Sequence, residues 1–169
     1  MDNRENLIRI YEFALNQEHT GKDFFESSAS RMGVGAAVSA FKRLIEEEQK
    51  HIDFINAILE NLRSGNEPDI PPTVDIEPEV QNYFDSRAKA EFLEKCLYES
   101  MVPDVTVFNT AWLIEKDLSD FYTRMAGATA GKASKALNML AGWEKRHEEF
   151  FREYRNALSE AYAQMPWGG

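Results

Sequence analysis

The stretch Glu144-Lys145-Arg146-His147 and its near copy Glu48-Gln49-Lys50-His51 decide how this chain folds. Each sets a carboxylate and an imidazole at i and i+3, so both side chains leave one face of a helix. One such pair is common by chance. Here each pair follows a lone glutamate at almost the same distance. Glu18 lies 30 residues before Glu48, and Glu115 lies 29 before Glu144.

The surrounding apolar residues place all six groups on faces meant for an interior. Over residues 3–29, Leu7, Ile10, Ala14, Phe25 and Ala29 recur at helical spacing, and Glu18 and Gly21 fill the gap in that stripe. From 35 to 63 the stripe is Val38, Phe41, Leu44/Ile45, Ile52, Ile55, Leu59 and Leu62, with Glu48 and His51 in its middle. Gly33 and Gly35 mark the turn before this helix, and Ser64-Gly65 marks its end. Residues 65–78 hold four of the six prolines and read as a crossover linker. A shorter helical stretch over 79–100 carries Tyr83, Phe84, Phe92, Leu93 and Cys96. Asp104 is the expected cap of a helix reaching about residue 126, with Phe108, Ala111/Trp112, Leu118, Tyr122 and Met125 on its stripe and Glu115 in line. After a turn over 127–131, the last helix runs over 132–163. Its stripe is Leu137, Leu140, Phe151, Tyr154, Leu158 and Ala161, with Glu144 and His147 in line, and Pro166 closes it.

The two halves can be laid on each other. Ala14 and Glu18 fall on Ala111 and Glu115, Phe25 on Tyr122, and Ala29 on Ala126. Leu44, Glu48, His51 and Phe54 fall on Leu140, Glu144, His147 and Phe150. The expected fold is all-α: a single domain over 1–169, with helical hairpins at 3–63 and 104–163 joined by a crossover over 64–103. Two such hairpins make a four-helix bundle.

Composition narrows the partners. At 169 residues the chain can bury a sizeable core, and 43% hydrophobic with 28% charged residues is ordinary for a globular protein. A net charge of −10 argues against nucleic acid or an anionic membrane surface as the main partner. The lone Cys96 rules out an intramolecular disulfide and a CxxC metal knuckle. The first residues form no uninterrupted apolar segment, and nothing approaches the roughly 20 apolar residues of a membrane span. A soluble cytoplasmic protein is the expectation. The 79–100 segment and the Tyr/Trp tail offer apolar surface for a homodimer or larger homo-oligomer.

A glutamate at the edge of a stripe can reach water along its stem. Four at mid-helix depth cannot all do so. Each buried, unpartnered carboxylate costs several kcal/mol, and four exceed the roughly 5–15 kcal/mol by which a domain is stable. No stripe carries a Lys or Arg at the matching depth. Two divalent cations would balance four glutamates and two neutral histidines. Glu18, Glu48, His51, Glu115, Glu144 and His147 are therefore the candidate metal ligands. Mixed oxygen and nitrogen ligation suits two iron ions, or manganese; zinc would bind without redox chemistry.

With its Glu and Glu-x-x-His given twice, the chain resembles the rubrerythrin and ferritin-like di-iron proteins over nearly its whole length. The resemblance implies a ferritin-like bundle in which Glu48 and Glu144 bridge two irons. Glu18 with His51, and Glu115 with His147, would be terminal ligands. It implies a non-haem di-iron oxidoreductase that reacts with hydrogen peroxide or O2 and draws electrons from an external, rubredoxin-like donor. Ferrous-iron oxidation with storage or transfer, and a non-catalytic metal staple, are the alternatives. Three departures bear on the choice. No rubredoxin domain with paired CxxC knuckles is present. Leu118 stands where rubrerythrins usually carry a further glutamate. Gln49 stands where bacterioferritin-like chains bind haem through Met.

Among the other residues, Tyr122 lies two turns after Glu115 on the same face, within reach of a ligand carboxylate, whereas Phe25 at the matching position has no hydroxyl. Tyr11 is expected to pack, His19 to face solvent, and Cys96 to be a buried small hydrophobe. Glu47, Glu148 and Glu149 are expected on solvated flanks.

Overall fold

The computed structural model describes residues 3–32, 36–71 and 105–164. Four helices account for most of them: α1 (Asn3–Met32), α2 (Ala36–Arg63), α3 (Val105–Ala128) and α4 (Gly131–Ala163). Each expected long helix is present, with ends within three residues of those expected. The turn glycines 33 and 35, the 79–100 segment with Cys96, Asp104, Pro166, and the side chains of Leu158 and Ala161 lie outside the described residues. The described residues form an all-α, ferritin-like bundle.

Helices α1 and α2 pack as one hairpin and α3 and α4 as another, with α1 also resting on α3. Polar contacts join the hairpins at one end. Tyr11 donates its hydroxyl to the carbonyl of Ala133 at 3.2 Å, and Lys132 reaches Asp69 at 3.0 Å. Tyr11 is thus packed in the core, as expected, with its hydroxyl satisfied by backbone.

Helix α2 ends as its sequence requires. Gly65 has φ +84°, its N–H bonds the carbonyl of Leu62 at 3.1 Å, and the N–H of Asn66 bonds that of Asn61 at 3.0 Å. These two bonds satisfy carbonyls the helix would otherwise leave open, and they need a left-handed residue at position 65. Gly65→Ala is expected to destabilise the protein by about 1 kcal/mol, since a Cβ is strained at that φ. The thermal midpoint should fall by about 2–4 °C. An unchanged midpoint would contradict the role given to this cap.

The apolar core is in two parts. One holds Leu7, Tyr11, Ile55, Leu59, Leu62, Tyr122, Leu137 and Leu140. The other is strongly aromatic: Phe25 stacks on Phe151 with ring centroids 5.7 Å apart, and Phe41 and Tyr154 meet Phe108 at 5.4 and 4.0 Å. On every helix a short interval separates the two parts. It contains Glu18 on α1, Glu48 and His51 on α2, Glu115 on α3, and Glu144 and His147 on α4. The repeat therefore produces one polar layer between two apolar ones.

Candidate metal centre

All six residues singled out from the sequence are fully buried in that layer, none more than 1% exposed. They form two groups of possible ligands, Glu18, Glu48, His51 and Glu144, and Glu48, Glu115, Glu144 and His147. Glu48 and Glu144 belong to both.

Helix geometry sets this sharing. Within α2 and within α4 the glutamate and histidine stand one turn apart, so both leave the same face of their helix and enter the same layer. His51 Nδ1 is 3.8 Å from Glu48 Oε2, 3.5 Å from Glu18 Oε2 and 2.6 Å from Glu144 Oε1. His147 Nδ1 is 3.3 Å from Glu48 Oε1, 3.4 Å from Glu115 Oε2 and 3.5 Å from Glu144 Oε2. Each of the two shared carboxylates thus gives one oxygen to each side. The imidazoles lie 5.5 Å apart, nearly parallel at 20°.

The donor set fits metal better than it fits itself. Both oxygens of Glu48, Glu115 and Glu144, one of Glu18, and Nδ1 of His51 are buried without a hydrogen bond. His51 and Glu144 are in contact, yet not aligned to share a proton. Buried polar groups are otherwise almost always satisfied. Lone pairs converging on a common point without donors describe a cation site with oxygen and nitrogen ligands.

Without metal, the cluster must hold protons. Burial, and then the charges of Glu144 and Glu48, push Glu18 and Glu115 well above the usual carboxylate range. Burial also opposes ionisation of Glu144 and Glu48, but the two histidines outweigh it and hold both carboxyls below that range. Burial would lower both imidazoles. Glu144 beside His51, and Glu115 beside His147, outweigh it and raise each well above 6.5.

Residues around the cluster differ between its halves. Tyr122 donates its hydroxyl to Glu18 Oε1, as its position on the ligand face suggested. Burial, then the charge of Glu18, keeps that phenol protonated. Glu47 corrects an expectation. It is not on a solvated flank but 3% exposed, and it accepts a 2.6 Å hydrogen bond from His147 Nε2. Burial alone would raise its carboxyl; the hydrogen bond and charge of His147 bring it below the usual range. Trp143, not singled out from the sequence, stacks on the His51 ring at 5.2 Å and 13°. Its place in the repeat was the available signal, since position 143 matches position 47. Glu148 is also buried rather than solvated. It accepts from Trp112 Nε1 at 3.2 Å and pairs with Lys145 and, at 3.8 Å, Arg152. Glu149 is partly exposed and His19 exposed.

Four helices in two like hairpins around a buried Glu4His2 layer define a ferritin-like bundle able to hold metal at its centre. Residues 5–155 match the family model described as Rubrerythrin, and the chain belongs to the rubrerythrin family. No curated protein and no solved structure gave a match. Among the described residues, no helix is long and apolar enough to cross a membrane.

Proposed function

We propose that this protein is a non-haem di-iron oxidoreductase acting on hydrogen peroxide or O2. The observation that carries the proposal is the division of Glu48 and Glu144, one oxygen of each towards either imidazole. That is the arrangement two bridged ions require. Glu48 and Glu144 would bridge, Glu18 with His51 would complete one position, and Glu115 with His147 the other. Two bound irons would supply two-electron redox chemistry, with a separate, rubredoxin-like donor as the source of electrons.

The chain's own residues set the conditions. The aromatic layer of Phe25, Phe41, Phe108 and Phe151 keeps water from one side. Tyr122 holds a proton on its hydroxyl and draws charge from Glu18. A cleft of about 550 Å³ between α1 and α3 runs past the level of Glu18 and Glu115, with Gln17, Gly21, Ile114 and Leu118 in its lining. A small neutral oxidant would approach the cluster from this cleft. Leu118 adds no carboxylate there, so among the described residues the ligand set is these six. A cytoplasmic location and a homodimer or larger homo-oligomer belong to the same reading. Half-exposed Phe13 and Leu113 supply apolar surface for assembly.

Stopped-flow mixing of the anaerobic ferrous protein with peroxide or O2 tests this. Two irons per chain should be oxidised, and peroxide should react faster. Preference for O2 with many irons oxidised per chain would indicate iron handling instead. Zinc that never exchanges or cycles would indicate a structural staple.

Tyr122→Phe gives a narrower check. The variant should still bind two metals. Without metal it should lose about 1–3 kcal/mol in chemical denaturation, because a buried carboxyl oxygen of Glu18 loses its donor. Loss of a whole equivalent of metal would instead make the phenol a ligand.

A further inference from the structure

We infer that the two metal positions are built unequal, and that Glu47 makes the His147 position the tighter one. The inference rests on the dinuclear reading above but concerns residues outside the six ligands.

The repeat makes the comparison direct. Position 47 precedes the shared glutamate of α2, and position 143 precedes that of α4. Each side chain crosses to the histidine of the other hairpin. Glu47 accepts from His147 Nε2 at 2.6 Å, while Trp143 lies flat on His51 at 5.2 Å and 13°. Both fix a ring, but only Glu47 brings charge. A carboxylate on the far nitrogen fixes the imidazole tautomer with Nδ1 unprotonated, strengthens it as a donor to metal and adds a negative charge behind it. An indole face does none of these.

A second pair of repeat-related residues acts in the same direction. Tyr122 donates to Glu18, the terminal carboxylate of the His51 position, and so draws charge from it. The matching residue behind Glu115 is Phe25, which packs among rings and has no proton to give. The His147 position thus gains a charge through Glu47 and keeps the full charge of Glu115. The His51 position gains none and has the charge of Glu18 partly withdrawn. Glu47 is a positioning residue for one ion, and the His51 position is the one that fills last and empties first.

Anaerobic binding of Co²⁺ to the metal-free full-length chain, followed by its visible spectrum and by proton NMR, tests the inference. The first equivalent should bind at least tenfold tighter than the second. It should also produce one hyperfine-shifted imidazole N–H resonance, the His147 Nε2 proton held by Glu47. A gap between the two constants does not suffice, since the first ion repels the second. The variants decide. Glu47→Gln, of the same size, should weaken the first equivalent about ten- to a hundredfold, spare the second, and broaden that resonance through exchange with water. His51→Ala should keep the tight equivalent and His147→Ala should lose it. Equal weakening of both equivalents by Glu47→Gln, no effect on the first, or loss of the tight ion in His51→Ala would each overturn the inference. A wild-type chain that takes up only one equivalent would instead overturn the dinuclear reading.

Discussion

Glu144→Ala is expected to abolish binding of the metal pair, while Glu115→Ala keeps one ion. The contrast follows from the two oxygens of Glu144. Oε1 lies 2.6 Å from the His51 nitrogen and Oε2 3.5 Å from the His147 nitrogen, so one truncation takes a donor from both positions. Glu115 stands in only one of the two ligand groups. A direct ligand should matter more than the hydrogen-bond partners of ligands, whose loss costs about ten- to a hundredfold in affinity. Metal analysis after dialysis should therefore find two equivalents in the wild type, about one in Glu115→Ala, and well under one in Glu144→Ala.

The same substitution should weaken the metal-free fold. There Glu144 is the ionised partner of a buried, protonated His51. Removing one member of a buried pair leaves the other uncompensated, at a cost of about 3–5 kcal/mol. Urea denaturation in the presence of a chelator measures this separately from metal loss. Two equivalents retained by Glu144→Ala would remove the bridging role and, with it, the symmetry on which the proposed function rests.

Why this residue could be chosen from the sequence, while Glu47 could not, lies in what periodicity reports. The 3.6-residue period tells which face of a helix is apolar, and a glutamate in the middle of that face declares itself. Glu18, Glu48, Glu115 and Glu144 were legible for that reason, and the histidines because each stands one turn from a glutamate. Helix lengths were legible from the stripes and from Gly65. Periodicity says nothing about the flank of a stripe, which is buried or exposed according to what a neighbouring helix brings. Glu47 is about 100° around α2 from Glu48, a direction that suggests solvent until His147 of α4 is placed beside it. Glu148 is buried for the same kind of reason, under Trp112 of α3. The internal repeat did hold a sign of this. Where every ligand is matched by its own kind, the positions before the shared glutamates carry Glu47 in one half and Trp143 in the other. The mismatch marks a place where the two halves differ in chemistry.

Loading the metal-free protein should release protons, and metal should cancel the loss of its stability with rising pH. Without metal, both imidazoles sit well above 6.5, and the carboxyls of Glu18 and Glu115 sit well above 4.5. A group whose folded value is raised stabilises the fold below its unfolded value, and that contribution is lost as pH rises through the folded value. The metal-free protein should therefore lose stability as pH climbs from about 6.5, the unfolded imidazole value. Metal demands the opposite protonation state. Both histidines must give up a proton before Nδ1 can bind, and so must Glu18 and Glu115 wherever they hold one. Uptake of two ions near neutral pH should thus release at least two protons and at most four. Calorimetry in buffers of different ionisation enthalpy counts them. With two released, the combined affinity for the pair should rise about a hundredfold per pH unit while both imidazoles start protonated. Thermal midpoints taken with chelator and with saturating Zn²⁺ should then diverge: falling above pH 6.5 in the first case and staying nearly level in the second, where the gain in affinity offsets the loss in the metal-free fold. Parallel curves, or no proton release, would mean that the six residues do not hold the metal.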